Sequence, residues 1–203
     1  MHDQVERATS RVVVRKADAD HLDAVGALTL AAYDGLPRRL SDDYRVELAD
    51  ARIRAATDAT VLVALRDGVV AGSVTLSTHD TEMFEYRFGI DGDCGFRMLA
   101  VAPDQEGHGV GSALVHDCIR RCQRAGARRM VITTMDTMTR AQRLYAARGF
   151  VRRRDLDVQF PSGIGMAYHL DLVADASEHF PPPGPVPEAP VWHQDRPTAH
   201  PCH

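Results

Sequence analysis

The sequence predicts a mixed α/β protein (α+β) in which helices pack against one central sheet. Three observations carry that prediction. Short β-rich runs and stretches of helical periodicity alternate between residues 12 and 172. Two apolar runs, residues 61–65 and 69–76, are separated by Asp67-Gly68, a strong hairpin signal that puts antiparallel pairing mid-chain. Finally, an apolar strand ending at Val101 passes through a glycine-rich turn directly into an amphipathic helix.

The elements follow in order. Val12-Val13-Val14-Arg15 reads as a first strand. Asp18 offers an N-cap, and Leu22, Val25, Leu28 and Ala32 recur at helical spacing. A second helix is expected over residues 43–56, with Leu48, Ala51 and Ala55 on one face. The hairpin runs come next, and then a strand over residues 96–101 that Pro103 stops. Leu114, Val115, Cys118, Ile119 and Cys122 form a broad apolar stripe on a helix over residues 110–125, and Gly126 suits its C′ position. Residues 129–134 read as a strand. Residues 138–148 read as a helix with Met138, Ala141, Leu144 and Tyr145 on one side, ended by Gly149. Residues 150–151 and 165–172 supply the last two strands. The predicted order is β-α-α-β-β-β-α-β-α-β-β.

Composition narrows the classes. The 203 residues carry 24 basic and 28 acidic side chains, for a net charge of −4, and 44% are hydrophobic, ordinary for a protein with a real core. No run approaches the ~18 apolar residues of a membrane span, and the opening Met1-His2-Asp3-Gln4-Val5 has no apolar stretch of a secretory signal. Four cysteines are too few for a disulfide scaffold in a chain this long, and Cys118 and Cys122 lie on the apolar helix stripe, which points to core packing and no metal site. A reduced, cytoplasmic protein with no membrane partner is the expectation. All basic residues but Lys16 are arginine, and 11 of them fall between Ile119 and Arg154 against the single acid Asp136. Such density suits a polyanion, a phosphorylated cofactor among them, but no nucleic-acid-binding module accompanies it. Eight of the 11 prolines lie between Pro181 and Pro201. Residues 173–203 are therefore expected to be a disordered or polyproline-like tail beyond a domain of residues 1–172.

The chemistry concentrates in residues 99–114. Gly107, Gly109 and Gly111 alternate through the turn, where glycine permits unusual φ angles and close backbone approach. The free N–H groups of the helix's first turn converge beside the positive end of its dipole, an anion site suited to a pyrophosphate. The spacing fits neither the phosphate-binding loop that needs Lys-Ser/Thr nor the G-x-G-x-x-G fingerprint.

Leu99-Ala100-Val101-Ala102-Pro103 followed by Gly107-His108-Gly109-Val110-Gly111 resembles the acetyl-CoA-binding motif of the GNAT superfamily of N-acetyltransferases. Downstream, residues 141–150 (Ala-Gln-Arg-Leu-Tyr-Ala-Ala-Arg-Gly-Phe) are similar to that superfamily's A-x-x-L-Y-x-x-x-G-F helix. The resemblance covers about residues 11–172. It implies a GNAT-like fold: a central, mostly antiparallel twisted sheet of about seven strands with flanking helices and a splayed cofactor cleft. It also implies acetyl-CoA as co-substrate. The backbone of Leu99, Ala100 and Val101 would pair with the pantetheine arm, and residues Gly107, His108, Gly109, Val110, Gly111 and Ser112 would hold the pyrophosphate. Arg140, with Arg143, would approach the phosphates. Tyr145 would act as general acid toward the CoA thiolate that leaves when an amine attacks the acetyl carbonyl.

Two positions depart from the family pattern. Glu106 stands where the family usually has Gln or Arg, and Met138 replaces a frequent Asn. A carboxylate beside a pyrophosphate is unhelpful, so Glu106 is expected to face solvent or pair with an arginine. No carboxylate lies on the strand before the turn to serve as base. Glu82, Glu85, Asp91, Asp93 and Tyr33 are candidates, with deprotonation through water the leading expectation. Tyr33 and Glu85 are the named acceptor-site candidates, and the acidic residues 79–93 hint at a cationic amine. The acceptor is expected to be a small-molecule amine, and the resemblance admits a homodimer. A protein or peptide acetyltransferase and a non-catalytic acyl-CoA-binding module are the alternatives.

Overall fold

The computed structural model describes residues 11–36, 40–78, 93–160 and 163–173. Glu82, Glu85, Asp91 and the tail from residue 174 on lie outside them. The elements are β1 (Val12–Lys16), α1 (Leu22–Asp34), α2 (Asp42–Ala49), α3 (Ala51–Ala55), β2 (Thr60–Arg66), β3 (Val69–Ser77), β4 (Asp93–Val101), α4 (Val110–Arg124), β5 (Arg129–Met135), α5 (Thr139–Ala146), β6 (Val151–Arg152), β7 (Val158–Phe160) and β8 (Gly163–Asp171). They form one sheet in the order β1-β2-β3-β4-β5-β8-β6, with β7 also paired to β8. Every pairing is antiparallel except β4 with β5.

Both faces of the first half of the sheet are covered, which explains why β2 is apolar from Val61 to Leu65 instead of alternating. Val61 and Val63 pack with Val25 of α1 and Ala51 of α3 on one side. Leu62 and Ala64 point the other way and join Val110, Leu114, Val115, Cys118 and Cys122 of α4 in the larger core cluster. Cys118 and Cys122 are fully buried there, and His116 is exposed. Among the described residues no group of His, Cys, Asp or Glu is arranged to hold a metal, and no helix is long and apolar enough to cross a membrane.

The turn at Asp67-Gly68 forms as the sequence predicts, both residues taking positive φ (52° and 81°), and β2 and β3 pair across it. Gly126 and Gly149 take φ of 77° and 86° at the ends of α4 and α5. The single helix expected over residues 43–56 is instead two. Asp50 is extended (φ −103°, ψ 92°), and its carboxylate accepts from the Arg52 amide, so it caps α3 and breaks the path. Leu48 and Ala51 are buried as expected, but the break leaves Ala55 exposed. An eighth strand, β7, falls where the sequence suggests only a loop. Three residues between Asp157 and Gly163 give periodicity too little length to register.

Candidate active site

The cleft begins where β4 and β5 part. Their parallel pairing consists of Asp93 with Arg129 and Cys94 with Met130, and beyond it the strands diverge. The Arg129 guanidinium, almost wholly buried, donates to both Asp93 carboxylate oxygens at 3.2 and 3.3 Å and so fastens the closed end. Burial raises Asp93 above the usual carboxylate range, with Arg129 opposing the shift. Asp93 is thus committed to the hinge of the splay, away from its open end.

A bulge adds to the divergence. On β3, Ser73 and Thr75 are two residues apart, but their partners on β4, Ala100 and Arg97, are three apart. The extra residue bends the strand, and Met98 takes φ 53°, a left-handed conformation that costs about 1–2 kcal/mol for a residue with a side chain. Arg54 secures it. This side chain, 1% exposed, donates to the Met98 sulfur at 3.0 Å, to the carbonyls of Glu47 and Leu48, and to the Thr29 hydroxyl. From the bulge onward Leu99 and Val101 are half-buried and the backbone edge of β4 toward β5 has no strand partner among the described residues.

The glycine turn lies at the far end of that edge. Gly107 and Gly109 take φ of 77° and 78°, and a Cβ on either would meet nothing within 4 Å. Gly109 caps α4 with no side chain bonded to the cap, so the amides of Val110, Gly111 and Ser112 have no helical acceptor. Val110 is buried, and Gly111 lies against Val101 and Leu144, where a Cβ would come 3.3 Å from the Leu144 side chain. The Ser112 hydroxyl accepts from Arg148, and His108 is exposed. Gly107 to Ser112 therefore form an open turn with free amides at the start of α4. That fits the pyrophosphate of a coenzyme, since the left-handed glycines turn backbone N–H groups toward open space.

Arg140 stands beside this turn, ion-paired to Glu106 with both side chains well exposed (72% and 43%). The departure at position 106 is thus accommodated by an arginine from α5 reaching back across the mouth. Glu106→Gln frees Arg140 and removes a negative charge beside the anion site. We expect the Kd for acetyl-CoA to fall by about two- to fivefold at low salt, an effect lost at high salt. Titration calorimetry at two ionic strengths checks it.

Tyr145 enters from the other wall. It is 4% exposed and packs with the rings of Phe96, Phe150 and Tyr168 at centroid distances of 5.7, 5.7 and 6.2 Å. Burial pushes its phenol well above the ordinary tyrosine range, Cys118 adding to the shift. Its oxygen is not among the buried, unpartnered polar atoms. Met138, in place of the family's Asn, precedes α5, its sulfur accepting from the Thr134 hydroxyl at 3.4 Å. Gln142 closes the same turn on the carbonyls of Met135 and Asp136.

Tyr33, at the end of α1, lies with Tyr44 in an edge-on ring pair at 6.2 Å. Its phenol is raised well above the ordinary range, first by burial and then by Tyr44 and Tyr145, against Arg97 and Arg54. Tyr33 and Tyr145 are thus close enough for their charges to interact, Gly111 of the glycine turn lies against Leu144, the neighbour of Tyr145 in sequence, and Glu85 lies outside the described residues. Arg54, Arg97 and Tyr44 were not singled out from sequence. The signal available was a lone arginine inside an otherwise apolar run, at Arg97 within residues 96–101.

The same architecture recurs in known proteins. A structure of yncA from Salmonella typhimurium, holding its cofactor acetyl-CoA, matches with a TM-score of 0.61 and 23% identity over 81% of this chain and 95% of that one. A GNAT-family acetyltransferase from Staphylococcus aureus Mu50 matches with a TM-score of 0.64 and 14% identity, over 80% of this chain and all of that one. A GCN5-related N-acetyltransferase from Kribbella flavida matches at 0.63 and 21% identity, over 79% and 97%. In sequence, an uncharacterised N-acetyltransferase of Schizosaccharomyces pombe is 38% identical over 63 residues, 31% of this chain and 39% of that protein's length. The model of the Acetyltransferase (GNAT) family matches residues 26–150, from α1 through the end of the second motif and thus more than half of the sequence. With that match spanning both motifs, the chain belongs to the GNAT family of acetyltransferases.

Proposed function

We propose that this protein transfers the acetyl group of acetyl-CoA to the primary amine of a small molecule. The observation that carries the reading is the end of the β4–β5 pairing after Cys94, on a strand that leads into a turn with two left-handed glycines before α4. The acetyl-CoA bound by the yncA structure belongs to a protein of the same fold and supports the choice of co-substrate.

The residues present suit that co-substrate. The unpaired β4 edge at Leu99, Ala100 and Val101 offers backbone groups to an extended pantetheine arm. Gly107 to Ser112 offer amides to the pyrophosphate, and Arg140 a guanidinium that exchanges Glu106 for a phosphate. Acetyl-CoA supplies an activated acetyl carbon. Transfer makes one C–N bond and breaks one C–S bond, while the amine loses a proton and the departing thiolate gains one. Tyr145 supplies that second proton. Its raised proton affinity keeps it protonated at neutral pH. Burial also disfavours a thiolate formed beside the phenol, so proton transfer neutralises the leaving group, and solvent returns the proton to Tyr145 after each turnover. The amine's proton leaves through water, consistent with Asp93 being held by Arg129.

Binding is tested separately from turnover. Titration calorimetry with acetyl-CoA should show one site per chain, and a chain that binds neither acetyl-CoA nor CoA contradicts the reading.

A further inference from the structure

Resting on that reading, the contacts around the glycine turn single out one further residue that acts on the coenzyme's pyrophosphate. Three residues spaced four apart reach the turn from α5 and its end: Arg140 pairs with Glu106, Leu144 lies against Gly111, and Arg148 donates to the Ser112 hydroxyl. Arg148 stands just beyond α5, where the chain turns. Its amide donates to the Tyr145 carbonyl at 2.9 Å, and Gly149 follows with φ 86°, so the helix end fixes where the guanidinium starts. Among the described residues Arg148 forms no ion pair, and the Ser112 hydroxyl is the partner of its guanidinium.

Ser112 is the third residue of α4, and a helical side chain leans back toward the N-terminus, here toward the free amides of Val110, Gly111 and Ser112 itself. A hydroxyl carries one hydrogen and two lone pairs. Arg148 occupies a lone pair, so the hydrogen is left to donate, and no acceptor takes it among the described residues. Accepting from a guanidinium also polarises the O–H and makes it a stronger donor. We propose that Arg148 is a positioning residue for the pyrophosphate of acetyl-CoA: it holds the Ser112 hydroxyl with its hydrogen toward the phosphate oxygens and lends that bond its charge. Among the described residues this cation has no carboxylate partner to give up, whereas Arg140 must first leave Glu106.

The test is calorimetry with CoA and with 3′-dephospho-CoA, which share the pyrophosphate and differ in the phosphate on the ribose. Arg148→Met should raise the Kd of both by the same factor, about five- to twentyfold, the range of one charge-assisted hydrogen bond acting through an intermediary. Arg148→Lys should restore most of the affinity. Arg148→Gln, which keeps an N–H donor without the charge, should restore part of it and guards against a packing defect in the methionine variant. Ser112→Ala should cost at least as much as Arg148→Met, and the double variant no more than about twofold beyond Ser112→Ala alone, the coupling expected of residues that act through one bond. With an amine that is turned over, the loss should appear in the KM for acetyl-CoA and leave kcat unchanged. A loss seen with CoA but not with dephospho-CoA would place Arg148 on the ribose phosphate and overturn the proposal. Additive losses in the double variant, or unchanged affinity in Arg148→Met, overturn it as well. Coupled losses of CoA affinity in a protein that acetylates no amine uphold it and overturn the transferase reading. A native chain that binds neither CoA nor dephospho-CoA overturns both.

Discussion

Replacing Tyr145 by phenylalanine lowers kcat by about 10²-fold or more, the range of a lost general acid, and changes the KM for acetyl-CoA by less than about twofold. Phenylalanine preserves the ring contacts with Phe96, Phe150 and Tyr168, so packing does not confound the result. Thermal stability should hold within about 0.5 kcal/mol, as expected where only an oxygen is lost and no buried partner is stranded. The pH profile separates the roles further. Burial raises Tyr145 above the ordinary phenol value of about 10, so it keeps its proton across the neutral and mildly alkaline range. kcat/KM for the acceptor should therefore rise with pH as the ammonium group deprotonates, with no fall below about pH 10. Stopped assays across pH 6 to about 10 on both proteins check this. Unchanged kcat in the phenylalanine variant would reduce Tyr145 to a core aromatic.

Gly109→Val should abolish effective acetyl-CoA binding while sparing most of the fold. Gly109 has φ 78° and caps α4, and a branched residue forced there costs about 1–2 kcal/mol of backbone strain. In a domain of this size that lowers Tm by roughly 2–8 °C. The added side chain meets no protein atom within 4 Å of its Cβ, so the loss falls on the space where the proposed pyrophosphate site lies. Each charged hydrogen bond lost there is worth about 1.5–3 kcal/mol, so the Kd rises by roughly ten- to a hundredfold even if only one is lost. Calorimetry and thermal melts on the same sample distinguish this from simple unfolding. A variant that melts a few degrees lower yet binds acetyl-CoA normally would move the coenzyme's phosphates elsewhere.

What could be read from the sequence was local. The strand–turn–helix at residues 99–114 declares itself because glycine spacing, the strand stop at Pro103 and the stripe on α4 are all contiguous. The aromatic stripe position of Tyr145, the C′ glycine 126 and the glycine 149 that follows α5 are legible for the same reason. Pairing across distance is not. Glu106 and Arg140 are separated by a helix, a strand and two turns, so the sequence shows an awkward carboxylate and only the fold supplies its partner. The Arg54–Met98 contact joins two residues 44 positions apart, and Met98 is an ordinary apolar residue until the bulge turns it to positive φ. Arg97, Tyr44 and Glu47 become a group only once α2 lies over β4. Periodicity alone does not reveal the break at Asp50, because an aspartate tolerated in mid-helix and one that caps the next helix look alike there.

The most direct measurement is CoA release from acetyl-CoA across a panel of amino acids, amines, polyamines, aminoglycosides and peptides, with the acetylated product identified by mass spectrometry. Release should depend on a small-molecule amine, the acetyl group should be found on that amine's nitrogen, and both should fall by about 10²-fold in Tyr145→Phe. Saturating acetyl-CoA binding with no acetylated product from any amine in the panel would contradict acetyl transfer and leave a coenzyme-binding protein in place of a transferase.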